Sequence, residues 1–581
     1  MKKDEDRNIR LRATGVGILI GLALAAMAGR AVQLQIVRYD WLSEKASAQV
    51  ESSQTYRGKR GNIYDAKHRE LAVSVDATSI AAYPPAVPAD QLKRTALSLG
   101  KVLHIDPTET ATRLAADTTF VWIKRHVVPK EVQAARALDL PGIDFLTEHS
   151  RFYPHRTLAA QVIGFSGMDG NGLEGIEFYY DNQLRGKEVQ IRMLRDALGR
   201  GFDGERQRIG NDKGNDIVLT IDSTIQFITE KALEEAVVEN AGRSGIAVVM
   251  APSTGAVLAI AHYPFFNPNA FGEYDRKVWR NRAITDPFEP GSTMKIFSAA
   301  AALEHGGYTK NSIFFCENGS YRVGGNTVHD TKKHGWLSLQ QIVKFSSNIG
   351  AVKVGEMIGP VALYRTLLDF GFGRKTRIDC PGETSGSLAD YRSWTKIDAG
   401  TIAFGQGIAV SALQLTAAVA ALANEGLLMR PFLVQAVTDP NGRLLHRYAP
   451  RPVRQAVSVQ TANTVARMMH TVTTEGGTGT RAALDGFSAA GKTGTAQKID
   501  RETGRYSNRK YVSSFVGFAP MEKPAVVILV VVDEPKKHHY GGSVAAPAFK
   551  KIAHQTLDYL NIAPGRIGER LMARNTTGYQ R

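Results

Sequence analysis

Residues 289–297 read Glu289-Pro290-Gly291-Ser292-Thr293-Met294-Lys295-Ile296-Phe297. Pro290 and Gly291 break the chain. The run beyond them, as far as Glu304, is rich in good helix formers, and Gly306-Gly307 is placed to close it. The stretch reads as a turn running into a helix. Ser292 falls at or beside the helix N-terminus, and Lys295, three residues on, shares its face about one turn later. A serine hydroxyl is a poor nucleophile until a base removes its proton. A lysine serves as that base only when burial or neighbouring positive charge lowers its pKa. Helix N-terminal N–H groups also suit a developing oxyanion.

One such pair is weak evidence. Ser-x-x-Lys occurs four times, at Ser98/Lys101, Ser292/Lys295, Ser393/Lys396 and Ser507/Lys510. Taken singly, each is an exposed lysine near a serine. Two motifs later in the chain single out Ser292. Ser346-Ser347-Asn348 begins 54 residues after it, Lys492-Thr493-Gly494-Thr495 begins 144 residues after Asn348, and neither pattern recurs. A lone Ser-Ser-Asn is ordinarily a helix cap or turn, and a lone Lys-Thr-Gly an ordinary turn. The ordered set of three marks penicillin-binding proteins and class A β-lactamases. Along most of its length the chain resembles a class B penicillin-binding protein.

At 581 residues the chain is too long for a single core, and two or more domains are expected. An apolar fraction of 43% and a charged fraction of 22% describe an ordinary globular protein. The net charge of +16 points to anionic lipid, an acidic polymer or nucleic acid as a neighbour. Nucleic acid is disfavoured, because the amino end exports the chain and no nucleic-acid motif is present. Cys316 and Cys380 are too few for a disulfide framework; they pair or stay free, and their spacing gives no metal site.

The amino end carries Lys2, Lys3, Arg7, Arg10 and Arg12, and then an uncharged run from Ala13 to Gly29. As a helix that run spans roughly 25 Å, slightly short of a ~30 Å hydrocarbon core. Arg30 can snorkel, and the apolar segment to Val37 extends the span. Basic residues before the span place residues 1–12 in the cytoplasm and the body outside. Ala26-Met27-Ala28 resembles a signal-peptidase site; continued apolar character beyond Arg30 favours a retained single-pass anchor over residues 13–37. Residues 38–215 mix short strands, Pro-rich turns and Ala-rich helices, the latter at Ala89 to Leu99 and Pro129 to Leu138. Arg60 to Asp65 with Glu70 to Val73 looks like strand–turn–strand. Arg151-Phe152-Tyr153-Pro154 and Gly172 to Glu177 read as turn and salt-bridge chemistry, and no nucleophile–base pair is apparent. These segments resemble the non-catalytic pedestal, a dimerisation-type domain, of class B penicillin-binding proteins. There the first motif usually continues Asp-Arg-Asn-Gly, whereas here it continues Asp65-Ala66-Lys67-His68, without the glycine or that arginine. No glycosyltransferase domain is evident, which resembles the monofunctional class.

Residues 216–563 begin with a strand, Val218 to Asp222, and a helix from Ser223 to Glu239. Ile246 to Met250 and Val257 to Ala261 give a hairpin signal. Tyr511 to Phe518 and Ala525 to Asp533 read as two more strands, the second apolar enough to need cover on both faces. Helices fall between, at Ser338 to Phe345, Ser411 to Glu425 and Thr461 to Thr474. First strands pairing with last, around a helical block, gives an α+β fold of helices on a mostly antiparallel sheet. The transpeptidase domain of the resembled family looks like that. Residues 564–581 are a polar, basic tail expected to be disordered.

These residues assemble into one candidate site. Ser292 attacks an acyl carbonyl, and Lys295 takes its proton if its pKa is lowered, with Lys492 as a source of the field. Ser346 and Asn348 sit on a loop opposite Ser292, Ser346 relaying a proton to the leaving amine and Asn348 holding the substrate amide. Phe487 to Gly491 reads as a strand leading into Lys492. Gly494 lets a ligand approach the backbone, while Thr493, Thr495 and Lys492 bind a terminal carboxylate. The resemblance implies that the backbone N–H groups of Ser292 and Thr495 form an oxyanion hole. Arg280 to Ala283, Phe404 to Gly407 and Thr478 to Thr480 also resemble the family, and the last two read as Gly-rich loops near the cleft. Tyr540-Gly541-Gly542 closes a basic loop whose histidines are solvated rather than metal ligands.

The resemblance implies a serine-type D,D-transpeptidase that cross-links peptidoglycan stem peptides through a Ser292 acyl-enzyme, without cofactor or metal, and that β-lactams acylate. Phe288 to Thr293 resembles the division-type proteins, which implies septal cell-wall synthesis, other division proteins and a polytopic septal glycosyltransferase as partners, and an inner-membrane location with the catalytic domain in the periplasm. Elongation-type transpeptidase, D,D-carboxypeptidase, β-lactamase and a catalytically silent division scaffold are the rivals. A β-lactam sensor would need a cytoplasmic output domain or several spans, and twelve residues before one helix argue against it.

Overall fold

An apolar strand with no polar face must be sandwiched. In the computed structural model, which describes residues 2–195, 201–202, 212–323, 325–500 and 503–565, that strand is the middle of five. The strands are β1 (Ser244–Met250), β2 (Val257–Tyr263), β3 (Ala490–Ile499), β4 (Tyr506–Ala519) and β5 (Val526–Asp533), in the order β2-β1-β5-β4-β3, antiparallel throughout. The first strands of the unit thus pair with the last, β5 running Val527 opposite Met250 to Asp533 opposite Ser244.

Seven helices matter for the site: α1 (Ser223–Glu239), α2 (Lys295–His305), α3 (Leu339–Phe345), α4 (Asn348–Asp369), α5 (Ala412–Ala423), α6 (Val459–Thr473) and α7 (Ala546–Tyr559). Every residue of β5 is buried. Val526, Ile528, Val530 and Val532 pack in one cluster with Leu233 of α1 and Phe549 of α7. Val527, Leu529 and Val531 pack in a second with Leu413 of α5 and Phe297 of α2. Each such side chain contributes about 1.5–3 kcal/mol by leaving water. The alternation of the strand therefore builds two cores, and the second carries the helices of the site.

The chain divides into two compact units, each assembled from separate segments. One comprises Met1–Gly58, Asp76–His149 and Lys187–Asp212; the other Lys59–Val75, Ser150–Gly186 and Lys213–Arg581. In the first, an N-terminal helix Lys2–Val32 continues through Val37, and an 18-residue stretch within Arg7–Val37 has a mean hydropathy of 1.9 and is not buried. The helices Leu92–Leu103, Pro107–Leu114 and Pro129–Arg136 pack Leu99, Leu103, Leu114 and Val132 against Ile80 and Ile123. The first starts and ends later than its composition indicates. The second is absent from the sequence expectation, although Asp106 caps it by accepting from Thr108 N (2.8 Å) and Pro107 opens it.

In the second unit the strand–turn–strand at Ile63–Tyr64 and Glu70 closes through His68, whose φ of +60° takes the left-handed position where the resembled family has glycine. Arg69, one residue later, pairs with Asp65 (2.7 Å) and Asp222 (2.8 Å). Glu177 is a buried carboxylate held by Arg60 (2.5 Å) and Arg151 (2.6 Å). Burial pushes that carboxyl up, but the two guanidinium groups outweigh it and keep it below its ordinary range. Arg151 and the Gly172–Glu177 segment thus show the turn and salt-bridge chemistry expected of them, and Arg60 joins them. Cys316 and Cys380 are both buried and free. The expected disorder of the basic tail falls on residues 566–581, outside the described residues.

Candidate active site

Gly291 takes a φ of +56° and donates its N–H to Gly405 O (3.1 Å), which turns the chain into a single 3-10 turn, Gly291–Met294, and then into α2. Gly405 has no choice of side chain: a β-carbon there would lie 2.1 Å from Gly291 O, and its own φ is +88°. Lys295 opens α2 one turn after Ser292 and is 1% exposed. Its Nζ lies 3.0 Å from Ser292 Oγ, 2.6 Å from Ser346 O, 2.7 Å from Asn348 Oδ1 and 3.2 Å from Ser346 Oγ. A neutral amine has two N–H groups and one lone pair. The two short contacts are to carbonyl-type oxygens that only accept, so they take both N–H groups and leave the lone pair facing the hydroxyls. Burial lowers the Lys295 pKa to about 7, with the charge of Asp330 pulling the other way. Burial, rather than the field of Lys492 expected from sequence, is the leading cause.

Ser346 and Asn348 occupy the junction between two helices, not a free loop. Ser338 and Gln341 form a capping box that starts α3. Ser346 ends α3 at a φ of +61°, a conformation that costs a serine on the order of 1 kcal/mol or more. The reversal aims its carbonyl and hydroxyl at Lys295. Ser347 caps α4 by accepting from Gly350 N (2.9 Å), and Asn348 is the first residue of α4, its Nδ2 donating to His329 O (2.9 Å). Asp330, absent from the site expected from sequence, ties this junction down. One oxygen accepts from Ser347 Oγ (2.6 Å) and the other from the N–H groups of Asn348 and Ile349. No motif flags it, because an aspartate in a polar loop looks like any other.

Lys492 to Thr495 lie within β3; the strand begins at Ala490 and carries the motif rather than preceding it. Lys492 is buried, its Nζ donating to Ser346 Oγ (2.9 Å) and Thr493 O (3.1 Å). Ser346 Oγ is therefore within hydrogen-bond reach of both lysines. Burial, then the charge of Lys295, lowers the Lys492 pKa well below its ordinary value. On the face of β3 shared by Lys492, a β-carbon at Gly494 would sit 2.2 Å from Ser514 Oγ, 3.0 Å from Thr293 Cγ2 and 3.1 Å from Pro290 O. The glycine makes room for the protein's own serine turn. On the alternate face Thr493 Oγ1 is 3.0 Å from Thr478 Oγ1, and Thr495 Oγ1 accepts from Gly541 N (3.1 Å). The glycine-rich segments at Phe404 to Gly407, Thr478 to Thr480 and Tyr540 to Gly542 thus all touch the site. Gly407 N also donates to Glu289 (3.0 Å). Arg282 instead braces its own segment, on Asp286 (3.1 Å) and Ser244 (2.6 Å). Among the described residues no group of three or more His, Cys, Asp or Glu is placed to hold a metal.

The model of the penicillin binding protein transpeptidase domain matches residues 245–554, and that of the penicillin-binding protein dimerisation domain matches residues 55–219. The probable peptidoglycan D,D-transpeptidase PenA of Neisseria gonorrhoeae is 34% identical over 562 residues, covering 95% of this chain and 93% of its own. The peptidoglycan D,D-transpeptidase FtsI of Escherichia coli K12 is 33% identical over 553 residues, covering 94% of this chain and 91% of its own. The crystal structure of penicillin binding protein 3 from Mycobacterium tuberculosis complexed with aztreonam is similar with a TM-score of 0.69 at 28% identity, over 88% of this chain and 98% of that one.

Proposed function

The chain belongs to the class B penicillin-binding proteins, and from that membership we propose that it is a peptidoglycan D,D-transpeptidase working through a Ser292 acyl-enzyme. The observation that carries the reading is the buried Lys295 amine, 3.0 Å from Ser292 Oγ with a pKa near 7. Lys295 takes the Ser292 proton as Oγ attacks the penultimate D-Ala carbonyl of a stem peptide. The N–H groups of Ser292 and Thr495 receive the oxyanion. The C–N bond breaks, and the terminal D-Ala leaves with a proton delivered through Ser346. Asn348 holds the substrate amide, and Lys492, Thr493, Gly494 and Thr495 form the edge that receives the terminal carboxylate. A bound carboxylate favours the charged form of Lys492, and a charged Lys492 keeps Lys295 neutral. The amine of a second stem peptide then attacks the ester, forming the cross-link and returning the proton to Ser292.

A β-lactam enters the same sequence as a donor whose leaving group stays attached. The 33% identity with FtsI and the Glu289 of the serine turn support a septal role, and with it a polytopic glycosyltransferase beside the membrane helix. The apolar N-terminal helix is compatible with a single-pass anchor, which in this reading lies in the cytoplasmic membrane with the catalytic unit outside.

The test is covalent labelling of the full-length chain in detergent with a fluorescent penicillin, beside Ser292→Ala. Stable label on the parent and none on the variant is expected. Label on both would move the nucleophile elsewhere; rapid release of label would turn the reading toward a hydrolase.

A further inference from the structure

Beside the site, an aromatic and basic strip faces solvent. The strands Ile313–Phe315 and Trp336–Ser338 form a small antiparallel ribbon with Phe315 opposite Trp336. Its inner face buries Phe314 and Leu337 in the core. Its outer face presents Ile313 and Trp336, each 65% exposed, with the Phe315 ring 5.1 Å from the Trp336 ring. Single exposed apolar residues mean little, but three on one face of one ribbon form a surface.

The strip is anchored to the catalytic junction. Trp336 lies six positions after Asp330, the residue that ties down Ser347 and Asn348. Between them His334 stacks on Phe345, at 5.5 Å and 12°, and Phe345 immediately precedes Ser346. Lys332 and Lys333 are exposed, and among the described residues neither has an acidic partner. An exposed indole three and four positions after two exposed lysines combines a flat apolar face with positive charge.

Resting on the transpeptidase reading, we propose that this strip is a subsite for the glycan strand that carries the stem peptides, with a sugar ring stacked on Trp336 and stem-peptide carboxylates paired with Lys332 and Lys333. A polymer of amino sugars bearing anionic peptides offers apolar C–H faces beside carboxylates, which is the complement of this surface. Binding remote from the scissile bond supplies the orientation that a substrate tethered to a long strand needs.

The probe is soluble, uncross-linked glycan strands bearing intact stem peptides, titrated against the full-length chain in detergent and compared with the same strands stripped of peptide. Trp336→Ala weakens binding of both strands by about tenfold, the loss of one aromatic contact. Lys332→Ala with Lys333→Ala weakens only the peptide-bearing strands and flattens their salt dependence. Acylation by fluorescent penicillin stays at the parent rate in both variants, which shows that the fold and the Ser292 site are intact. Variants that bind within twofold of the parent, or a parent that is acylated yet binds no strands, would overturn the subsite. A parent that is not acylated sinks the transpeptidase reading instead, whatever the strands do.

Discussion

Replacing Asp330 by asparagine separates the electrostatics of the site from its scaffolding. The carboxylate accepts from Ser347 Oγ (2.6 Å), Ile349 N (3.0 Å) and Asn348 N at the start of α4, and its charge holds the Lys295 pKa higher than burial alone would leave it. An asparagine keeps the shape but removes the charge. Two unit charges 4 Å apart at an effective dielectric of 20 interact by about 4 kcal/mol, and the energy falls with distance. Asp330 is held at Asn348, whose Oδ1 is 2.7 Å from Nζ, so removing its charge takes away the influence that raises the Lys295 pKa and leaves burial to lower it further. The parent acylation rate should fall about tenfold per pH unit below a midpoint near 7, as Lys295 becomes protonated. In Asp330→Asn the midpoint should move down, while weaker charge-assisted bonds and helix-dipole stabilisation cost about 1–3 kcal/mol of stability. The assay is stopped-flow acylation by a fluorescent penicillin from pH 5 to 9, with chemical denaturation alongside. A midpoint that rises or stays put in a folded variant would refute the assignment of the titration to Lys295.

Gly494→Ala forces a β-carbon to within 2.2 Å of Ser514 Oγ and 3.0 Å of Thr293 Cγ2. Overpacking of about 1–3 kcal/mol falls on the serine turn, so acylation should drop far more than the melting temperature does; unchanged acylation would contradict the packing. Glu177→Gln leaves Arg151 and Arg60 without their buried anion and should cost about 3–5 kcal/mol by denaturant unfolding. Because that carboxyl is depressed below its ordinary 4.5, its contribution is complete above about pH 4.5 and is lost as pH falls through the folded value. The parent should therefore lose its advantage over the variant only in acid. Cys316 and Cys380 should be silent to a thiol reagent in the native protein and react together on unfolding, with no disulfide by mass; rapid native reaction of either would argue against its burial.

Much of this molecule is legible in residue order because it is encoded locally. The apolar character of Ala525 to Asp533, the Pro290-Gly291 turn and the helix from Ser223 to Glu239 are short-range patterns, and the spacing of Ser292, Ser346 and Lys492 is a family signature. Even the glycine-rich segments near Gly405, Thr478 and Gly541 stand out in the sequence. Their purpose does not, because a close approach is a property of two chain segments. The start of the helix at Pro107–Leu114 is written in Asp106-Pro107, but eight residues give too little periodicity to carry the expectation of a helix.

What residue order picked out by itself is the set of candidate side chains: Ser292, Lys295, Ser346, Asn348 and Lys492 stand in an order that points to acyl transfer. Only the tertiary structure decided how they are tuned. It buried Lys295 completely, put Ser346 in a left-handed turn within reach of two lysines, recruited Asp330 to fasten α4, and assigned Gly494 to the serine turn. It also interleaved the segments of the two compact units. The physical reason is that desolvation, charge coupling and close backbone contact depend on what surrounds a residue in space, and those neighbours lie tens to hundreds of positions away along the chain.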